Sequence, residues 1–426
     1  LILVWKKLST GTIMEIVDRS KIINHCQACG SSSLKSIFFF GYVPSVNSLI
    51  KIGEKKYESS FFPLDFYICR NCSLGQISCV VNKKILFPKS YPYTSSTTKI
   101  LRDNFKNLSE EVESFIEIRN DDLIIDIGSN DGNLLSFFKK KMRVLGITPE
   151  EIGKLAIKRG IPTILDYFND TSRKMIIKKH GKAKVITATN VFAHIDDVNN
   201  LISNIKKCLD KDGIFISESH YILKVIAGVQ YDTIYHEHMR YYSLTSLQKL
   251  FANNNLYIFH AKEIPTHGGS IRVYVSANKN KKQTLKLKEI IKKEKKLFHN
   301  SNLEKFKKKV FESKLELISK IKQIKKEGLT IYGVGAPSRA STLICYTGLD
   351  ENMISAILEV KGSSKIGKYM PGTKIPVINE DKIKYKNLKY LLLFSWHIKK
   401  DLKKIFRKKG FNGKFIVPLP KCKIEQ

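Results

Sequence analysis

The chain has 426 residues and a formal net charge of +35 at pH 7, most of it from lysine. A hydrophobic content of 42% excludes a largely disordered chain, and the length suggests two or three domains. The basic residues are dispersed, which favours a solvated surface over a compact nucleic-acid patch. No apolar run reaches the roughly 18 residues of a membrane span, and the cysteine usage favours a reducing cytoplasm.

Two Cys-x-x-Cys pairs lie near the start of the chain. They read "CQAC", with Cys26 and Cys29, and "CRNC", with Cys69 and Cys72. Each turn presents two thiolates, and two such turns complete the tetrahedral shell of one zinc ion. Because no coordination position stays open, we predict a zinc ion that stabilises the fold and takes no part in catalysis. We assign this zinc domain to residues 14–95.

The next part of the chain has an α/β pattern. An amphipathic helix is predicted over residues 96–118, and buried-strand patterns then alternate with helical ones up to about residue 219. The strand patterns read "LIIDIG", "RVLGIT", "AKVITATN" and "GIFISES". This rhythm indicates a parallel sheet with crossover helices.

The stretch "LIIDIGSNDGNLLSFF" predicts a strand, a glycine turn and a helix. Asp126 ends the strand, and Gly128 and Gly132 let the backbone pass close to a ligand. No Lys-Ser/Thr pair follows, which excludes a P-loop. An acid before Gly-x-x-x-Gly suits a zwitterionic ligand with an amino group, such as S-adenosylmethionine (SAM). An ordinary turn between strand and helix is the alternative.

The C-terminal part begins with a lysine-rich stretch, residues 281–327, whose apolar residues recur at helical spacing and predict a long helix with one buried face. A second strand–loop–helix unit follows as "GLTIYGVGAPSRASTLICY". It carries Gly333 and Gly335 of a dinucleotide fingerprint, but Ser338 stands where a third glycine is required. Because Glu359 follows the next strand at a suitable distance, a nicotinamide enzyme stays an alternative.

The densest group of functional side chains is "YDTIYHEHMRYY", residues 231–242. Three interpretations are open: a metal site, an acid–base apparatus, or a polar strand edge. On a strand, His236 and His238 would share one face and could bind a metal together. Glu237 would then lie on the opposite face, which is poor ligand geometry.

Several motifs, taken in order, resemble one family. They are "CQAC…CRNC", "DIGSNDGNLL", "NVFAHI", "YDTIYHEH", "HGGSIRVYV", "YGVGAPSRAST" and "GKYMPGTKIPV", over roughly residues 24–420. Together they resemble the zinc-containing, SAM-dependent C-methyltransferases that act on nucleotide-linked keto sugars in deoxysugar biosynthesis. The resemblance implies a Rossmann-like SAM domain at residues 96–260. It also implies a C-terminal α/β domain at residues 261–426 that helps to bind the sugar nucleotide.

The resemblance further implies a mechanism in which a base removes the proton beside the ketone and the enolate attacks the SAM methyl group. The residues that match the catalytic set are His238 as the base, with Tyr235, Glu237, His194 and one of Tyr91 and Tyr93. Histidine suits this task because its pKa near 6.5 leaves it mostly neutral. A neighbouring carboxylate can fix its tautomer, and a tyrosine hydroxyl or a second imidazole can donate to the enolate.

The remaining implied residues surround SAM and the substrate. Those expected around SAM are Asp126, Gly128, Ser129, Asn130, Asp131, Gly132, Thr148 and Asn190. Those expected to contact the substrate are His267, Gly268, Arg272, Pro337 and Arg339. Two positions depart from the family. Thr148 replaces an acid that binds the ribose hydroxyls, so Glu150 or Glu151 is expected to serve from the next turn. Arg240 replaces a small residue, which predicts an altered substrate pocket.

We therefore expect a cytoplasmic monomer that uses SAM, a structural zinc ion and a small nucleotide-sugar substrate. Nucleic acid is not the expected partner. A zinc-containing RNA methyltransferase is the alternative enzyme, but the stretch "TATNVFAHI" lacks the Asn/Asp-Pro-Pro-aromatic turn and the Pro-Cys nucleophile of base-modifying enzymes. A non-catalytic zinc scaffold with a decayed SAM site is the other alternative.

Overall fold

The structure is a computed structural model, and it describes residues 19–54, 60–87, 99–298 and 300–426. Within these ranges no helix is both long enough and apolar enough to cross a membrane. The first part of the chain is mostly β-structure. Its elements are β1 (Ser20–Ile22), β2 (Leu34–Pro44), β3 (Ile50–Lys51), β4 (Phe61–Cys69), β5 (Gly75–Ile77), β6 (Cys79–Val81) and α1 (Lys83–Leu86).

A long hairpin organises this N-terminal region. β2 pairs with β4 in antiparallel register, and alternate side chains of β4, including Phe62, Leu64 and Phe66, are buried. A period of two places these side chains on one face of the sheet. Because β4 ends at Cys69 and β5 begins at Gly75, the "CRNC" pair occupies the turn between two paired strands.

The middle of the chain alternates strands and helices, as the sequence predicts. Its elements are α2 (Lys99–Val112), β7 (Leu123–Ile127), α3 (Asn133–Ser136), β8 (Arg143–Ile147), α4 (Gly153–Lys158), β9 (Thr163–Ile164), α5 (Asp170–His180), β10 (Ala183–Thr189), α6 (Val198–Cys208), β11 (Leu209–His220), α7 (Ile222–Ala227), β12 (Arg240–Tyr241), α8 (Leu244–Ala252), β13 (Tyr257–Ile264), β14 (Ser270–Ser276) and α9 (Leu285–Leu297).

Seven of these strands form one sheet in the order β13-β14-β11-β10-β7-β8-β9. The pairs from β11 to β9 are parallel, whereas β14 is antiparallel to both of its neighbours. The strand order reverses between β7 and β10, and ligands bind beyond the carboxyl ends of the strands at such a point. The predicted parallel sheet is thus confirmed. The predicted domain boundary at residue 260 falls within β13, and the sheet continues to Ser276.

The C-terminal part forms a second α/β unit. Its elements are α10 (Asn300–Lys326), β15 (Ile331–Val334), α11 (Ser338–Thr347), β16 (Ala356–Glu359), β17 (Lys368–Tyr369), β18 (Val377–Asn379), β19 (Tyr390–Leu393), α12 (Lys399–Lys408), β20 (Lys414–Val417) and β21 (Lys423–Glu425). The sheet order is β18-β16-β15-β19-β20-β21, with parallel pairing from β18 to β20. A second reversal of strand order therefore lies between β15 and β19.

The lysine-rich stretch is helical, as predicted, but it is divided between α9 and α10. α9 packs on the middle sheet, where Leu287 and Ile290 are buried, and α10 packs on the N-terminal hairpin and α11. The rings of Phe38 and Phe306 meet edge to face at 5.4 Å between their centroids. One continuous apolar core therefore joins the N-terminal hairpin to the C-terminal unit.

Residues 231–242, called here the histidine loop, do not form the strand on which the metal-site interpretation depends. A single 3-10 turn covers Tyr231–Thr233, and only Arg240 and Tyr241 pair as a strand, antiparallel to β5. The alternative of a metal site with His236 and His238 on one strand face is therefore not supported. Both imidazoles are buried in a compact loop.

Candidate active site

The glycine loop, residues 128–132, leaves the carboxyl end of β7. Gly128 and Gly132 have φ angles of 73° and 75°, a region that other L-residues rarely adopt. A Cβ atom at Gly128 would lie 2.6 Å from Val191 Cγ2, and one at Gly132 would lie 2.8 Å from Ala156 Cβ. Both glycines are therefore required by backbone conformation and by close packing within the protein, and their expected approach to a ligand remains a prediction.

Buried polar atoms without partners surround this loop. Among the described residues, Ser129 Oγ, Asn133 Nδ2 and Asn190 Oδ1 are buried and make no hydrogen bond. Buried polar groups are normally paired, so a group of unpaired ones beside the glycine loop can accept a polar ligand. A donor amide and two oxygen atoms suit the amino acid and ribose groups of SAM. The sequence pattern did not indicate Asn133, because asparagine at the start of a helix is common.

Two acids of the loop region are engaged within the protein. Asp126 accepts a hydrogen bond from Thr187 Oγ1 at 2.7 Å, and burial raises its pKa to about 7. Asp131 is fully buried and forms an ion pair with Arg159 at 3.1 Å. The expected role of Asp131 in binding SAM is therefore not supported, because its charge already has a partner.

Thr148 stands at the position of the acid that usually binds the ribose hydroxyls. Thr148 is 1% exposed and packs against Gly153, so its side chain does not reach the crevice. Glu150 accepts a hydrogen bond from Asn130 Nδ2 at 3.3 Å and thus lies against the glycine loop. Glu151 is exposed and pairs with Lys154. Of the two acids expected to substitute for Thr148, Glu150 has the suitable position.

Two chain segments join behind the histidine loop. His194 Nδ1 donates to the carbonyl of Glu237 at 2.7 Å, because a carbonyl can only accept. The backbone N–H of Met239 donates to Ala193 O at 2.9 Å. The loop that follows β10 is therefore bonded on both sides of His238. The two histidine rings lie 5.1 Å apart.

The hydrogen bonds of His238 fix its tautomer. Its Nδ1 lies 3.2 Å from the carbonyl oxygen of Thr233, so Nδ1 carries the proton. Its Nε2 lies 3.1 Å from the hydroxyl of Tyr235 and accepts a hydrogen bond from it. Burial, followed by the neighbouring His220, lowers the pKa of His238 well below 6.5. His238 is thus a neutral imidazole with the lone pair on Nε2.

The expectation that a neighbouring carboxylate fixes this tautomer is wrong, because the Thr233 carbonyl does so. The carboxylate of Glu237 accepts instead from Asn47 Nδ2 at 2.7 Å. His236 donates from Nε2 to Pro63 O at 3.1 Å and packs against Phe62. The side chains of Glu237 and His236 therefore tie the histidine loop to the N-terminal region. Tyr91 and Tyr93 lie outside the described residues.

Two further imidazoles complete the site. His220, the last residue of β11, has its ring 4.7 Å from that of His238 and 5.6 Å from that of His267. His267 has a φ angle of 55°, an uncommon conformation outside glycine, and burial lowers its pKa to about 4. Sequence reasoning missed His220. The only available signal was its position at the carboxyl end of a predicted strand.

Arg272 does not occupy the position expected of a substrate ligand. It is fully buried within the middle sheet, and its guanidinium pairs with Glu218 at 2.6 Å and Glu111 at 2.7 Å. Asn104 of α2 also accepts from Arg272 at 2.8 Å. A charge with this many internal partners holds α2 against the sheet and is not available to a ligand.

Arg339 and its neighbours form the C-terminal side of the site. The guanidinium of Arg339 pairs with Asp232 at 3.0 Å and bonds His397 Nδ1 at 2.8 Å. Trp396 Nε1 donates to Asp232 Oδ2, the oxygen that Arg339 Nε also contacts, at 2.8 Å. Pro337 precedes the first turn of α11. Arg339 therefore lies against the histidine loop with its charge paired to Asp232, and its expected contact with the substrate remains a prediction.

The glycine pair at residues 268–269 lies on another side of the candidate active site. Gln230 Nε2 donates to Gly268 O at 2.7 Å, and a Cβ atom at Gly268 would lie 2.4 Å from Gln230 Oε1. Gly268 therefore allows the turn that carries His267 to pack against the start of the histidine loop. The expected substrate contacts at Gly268 remain a prediction.

The four cysteines of the N-terminal region converge. All four sulfur atoms lie within 4.8 Å of one another, with Cys26 and Cys72 at 3.5 Å and Cys29 and Cys69 at 3.7 Å. Sulfur atoms about 3.8 Å apart are what zinc–sulfur bonds of about 2.3 Å in a tetrahedron require. The four thiolates would therefore hold a zinc ion, and its chemistry there would be structural.

Arg240 explains how the zinc domain meets the histidine loop. The residue is 1% exposed and donates to Gln27 Oε1, between the first two cysteines, at 2.6 Å. It also donates to the carbonyls of Phe192, Ile195 and Asp196. The expectation that Arg240 alters the substrate pocket is therefore wrong, because its side chain is consumed by internal contacts.

Comparisons with known proteins agree with this arrangement. Family models match a zinc binding domain over residues 26–87, a methyltransferase domain over residues 100–261 and a C-methyltransferase C-terminal domain over residues 265–420. C-methyltransferase NovU of Streptomyces niveus is 28% identical over 415 residues, which are 96% of this chain and 98% of that protein.

Solved structures resemble parts of the chain. Magnesium protoporphyrin IX methyltransferase of Synechocystis PCC 6803 with bound SAM is 12% identical, with a TM-score of 0.31 over 41% of this chain and 78% of that one. A SAM-dependent methyltransferase of Clostridium acetobutylicum is 14% identical, with a TM-score of 0.32 over 42% of this chain and 93% of that one. These scores are too low to carry an argument by themselves.

The sheet, the glycine loop and the cysteine cluster define a SAM-dependent methyltransferase with a zinc-binding domain. More narrowly, models of a zinc binding domain, a methyltransferase domain and a C-methyltransferase C-terminal domain match the chain one after another, and together they support a SAM-dependent C-methyltransferase. SAM and zinc are its cofactors.

Replacement of one zinc ligand should release the metal. We expect Cys72→Ser to lower zinc affinity by more than the roughly 10–100-fold that changes outside the ligand shell cause. Thermal stability should fall with it, because zinc binding is coupled to folding. Zinc content after equilibration with a chelator, measured beside the melting temperature, tests this. Cys345→Ser is the control, since Cys345 is not in the cluster, and retention of zinc by Cys72→Ser would contradict the assignment.

The place of Glu150 predicts a role in binding SAM. Glu150→Gln removes a charged acceptor and should weaken SAM by about 10–100-fold, equivalent to about 1.5–3 kcal/mol. Glu151→Gln, one residue further along the chain, should bind SAM as the unmodified protein does. Titration calorimetry with SAM measures both. Equal affinities for the two variants would remove Glu150 from the cofactor site.

Proposed function

We propose that the protein transfers the methyl group of SAM to the carbon beside the ketone of a nucleotide diphosphate keto-deoxysugar, as in bacterial deoxysugar biosynthesis. The observation that carries this proposal is the neutral, buried His238 with its Nε2 lone pair directed to the Tyr235 hydroxyl. A base of this kind suits the removal of a weakly acidic proton from carbon. SAM supplies the electrophilic methyl group.

The proton balance follows from the hydrogen bonds of His238. The base nitrogen is Nε2, because Nδ1–H is already donated to the Thr233 carbonyl. To take the proton, Nε2 must release the Tyr235 hydroxyl, because it has a single lone pair. The positive charge on the ring then strengthens the hydrogen bond from Nδ1–H to the Thr233 carbonyl. Tyr235 has its ring centroid 4.1 Å from that of His238 and positions the imidazole as well as its lone pair.

His194 cannot donate to the enolate in this arrangement. Its one proton, on Nδ1, is donated to the Glu237 carbonyl, so Nε2 presents a lone pair. Burial lowers the pKa of His194 to about 4, which keeps the ring neutral. The proposed part of His194 is to hold the main chain beside His238. The donor that stabilises the enolate oxygen must be another group.

A cationic group near the C-terminal glycine loop supports a phosphate-bearing substrate. Lys365 Nζ donates to Ala336 O at 2.5 Å, and burial lowers its pKa although Glu359 and Glu237 oppose that shift. This loop lies at the strand reversal between β15 and β19, where ligands of such sheets bind. Glu359 accepts from the Ala336 N–H at 2.7 Å, so its carboxylate is used inside the loop.

Mass spectrometry of the purified protein with SAM and a panel of nucleotide 4-keto sugars tests the proposal. A SAM-dependent gain of one methylene on a sugar would establish the reaction, and NMR would then locate the carbon. SAM binding without product across the panel would leave the enzyme class intact and exclude these sugars. Methyl transfer to tRNA instead would favour the RNA alternative.

Loss of the proposed base, His238, should slow turnover severely. His238→Asn should lower kcat by about 10²–10⁴-fold, the usual contribution of general-base catalysis, while SAM affinity changes little. The control is His180→Asn, because His180 ends α5 just before the amino end of β10, whereas the histidine loop is bonded to the loop that leaves the carboxyl end of β10. Steady-state kinetics and calorimetry give the two readouts. Turnover near that of the unmodified enzyme would exclude His238 as the base.

The lowered pKa of His238 predicts how activity varies with pH. A base works in its unprotonated form, and a pKa well below 6.5 keeps that form dominant from pH 8 down to pH 6. We therefore expect kcat at saturating substrates to stay constant over this range. An unperturbed histidine would lose about three quarters of its base form at pH 6. A midpoint near pH 6.5 would contradict the proposed environment.

A further inference from the structure

The site contains an imidazole that the proposed base does not use. His220 ends β11, is paired in the sheet with Ser270, and keeps part of its surface exposed. Its ring lies 4.7 Å from that of His238 and 6.4 Å from that of Tyr241. It therefore stands beside the base at the carboxyl edge of the sheet that carries the glycine loop.

Three donor groups around His238 have acceptors in the arrangement that the structure shows. Nδ1–H of His238 is donated to Thr233 O, Nδ1–H of His194 to Glu237 O, and the Tyr235 hydroxyl to His238 Nε2. In contrast, the side chain of His220 makes no hydrogen bond to any residue that the structure describes. A neutral imidazole carries one N–H, so His220 has a donor without an acceptor.

Removal of a proton beside a ketone places negative charge on the ketone oxygen. Such charge is stabilised by a donor that is already in position, and loss of one donor of this kind typically costs about 10²–10³-fold in rate. The reacting carbon and the ketone oxygen are separated by one carbon atom. Two rings at 4.7 Å can thus address both atoms of one substrate.

We propose that His220 donates a hydrogen bond to the ketone oxygen and stabilises the enolate that His238 generates. This inference rests on the proposed function. The C–H bond breaks, its proton passes to His238 Nε2, and its electron pair forms the enolate. The enolate carbon then takes the methyl group, whose bond to sulfur breaks, and the sulfur leaves as the neutral thioether. His220 keeps its proton throughout, and His238 releases the substrate proton to solvent.

The position of His267 is consistent with this assignment. Its ring packs against His220 at 5.6 Å, and its Nε2 is buried without a partner among the described residues. Contact with His267 limits the orientations that the His220 ring can adopt. The strained φ of 55° at His267 places it there, and functional sites often retain such strain.

Exchange of the substrate proton isolates the enolate step. The keto sugar that the enzyme methylates is incubated in D2O with S-adenosylhomocysteine, which binds without a transferable methyl group. His220→Phe keeps a ring but removes the donor, and His220→Leu is a second variant without one. Both should lose about 10²–10³-fold in exchange and in kcat, with SAM affinity nearly unchanged. His220→Asn or His220→Gln, which retain an N–H, should recover at least about tenfold of that loss.

Several outcomes would overturn the assignment. Exchange within about threefold of the unmodified enzyme in His220→Phe would show that the donor is elsewhere. Lost methyl transfer with retained exchange would place His220 at a later step. Equal loss in the Asn, Gln and Phe variants would indicate packing and not donation. His180→Phe is the matched control. If the unmodified enzyme neither exchanges nor methylates any keto sugar, the proposed function fails before His220 is tested.

Discussion

The buried guanidinium of Arg240 is the contact on which the rest of the site depends. It bonds Gln27 within the first cysteine pair and three backbone carbonyls of the loop after β10. The side chain of Arg240 is 1% exposed, and its loss would remove all of these hydrogen bonds at once. The zinc domain and the methyltransferase sheet therefore fix the same stretch of chain, and His238 lies two residues before Arg240.

The histidine loop is the point where the three parts of the chain meet. β12 extends the N-terminal sheet through its pairing with β5. Thr342 of α11 donates to Ile234 O at 3.0 Å, and Arg339 pairs with Asp232. Because these contacts come from both neighbouring domains, the loop geometry cannot be set by the SAM domain alone. The strand that follows the second cysteine pair thus helps to hold the histidine loop in place.

Burial gives the site its chemistry. Desolvation disfavours a charged imidazole, and it lowers the pKa of His194, His220, His238 and His267. Each neutral imidazole has one N–H and one lone pair. A backbone carbonyl that accepts the N–H therefore determines which nitrogen keeps the lone pair. The Thr233 carbonyl leaves His238 with its lone pair on Nε2, as the proposed base requires, and the Glu237 carbonyl accepts the one proton of His194. His220 has no such carbonyl and retains a donor.

The sequence by itself determined the elements that depend on local pattern. The cysteine spacing predicts the zinc cluster, the period of two and the β–α alternation predict the sheets, and Gly128 and Gly132 predict the cofactor turn. Such patterns depend on residues that are close to one another in the chain, so the sequence alone contains them. Tertiary structure alone decided the rest. Only in the folded protein does Arg272 pair with Glu218 and does Glu237 accept from Asn47. His220, at a strand end eighteen positions before His238 in the chain, also contacts His238 only there. Partners of a buried charge or imidazole are set by packing across domains, which no local pattern encodes.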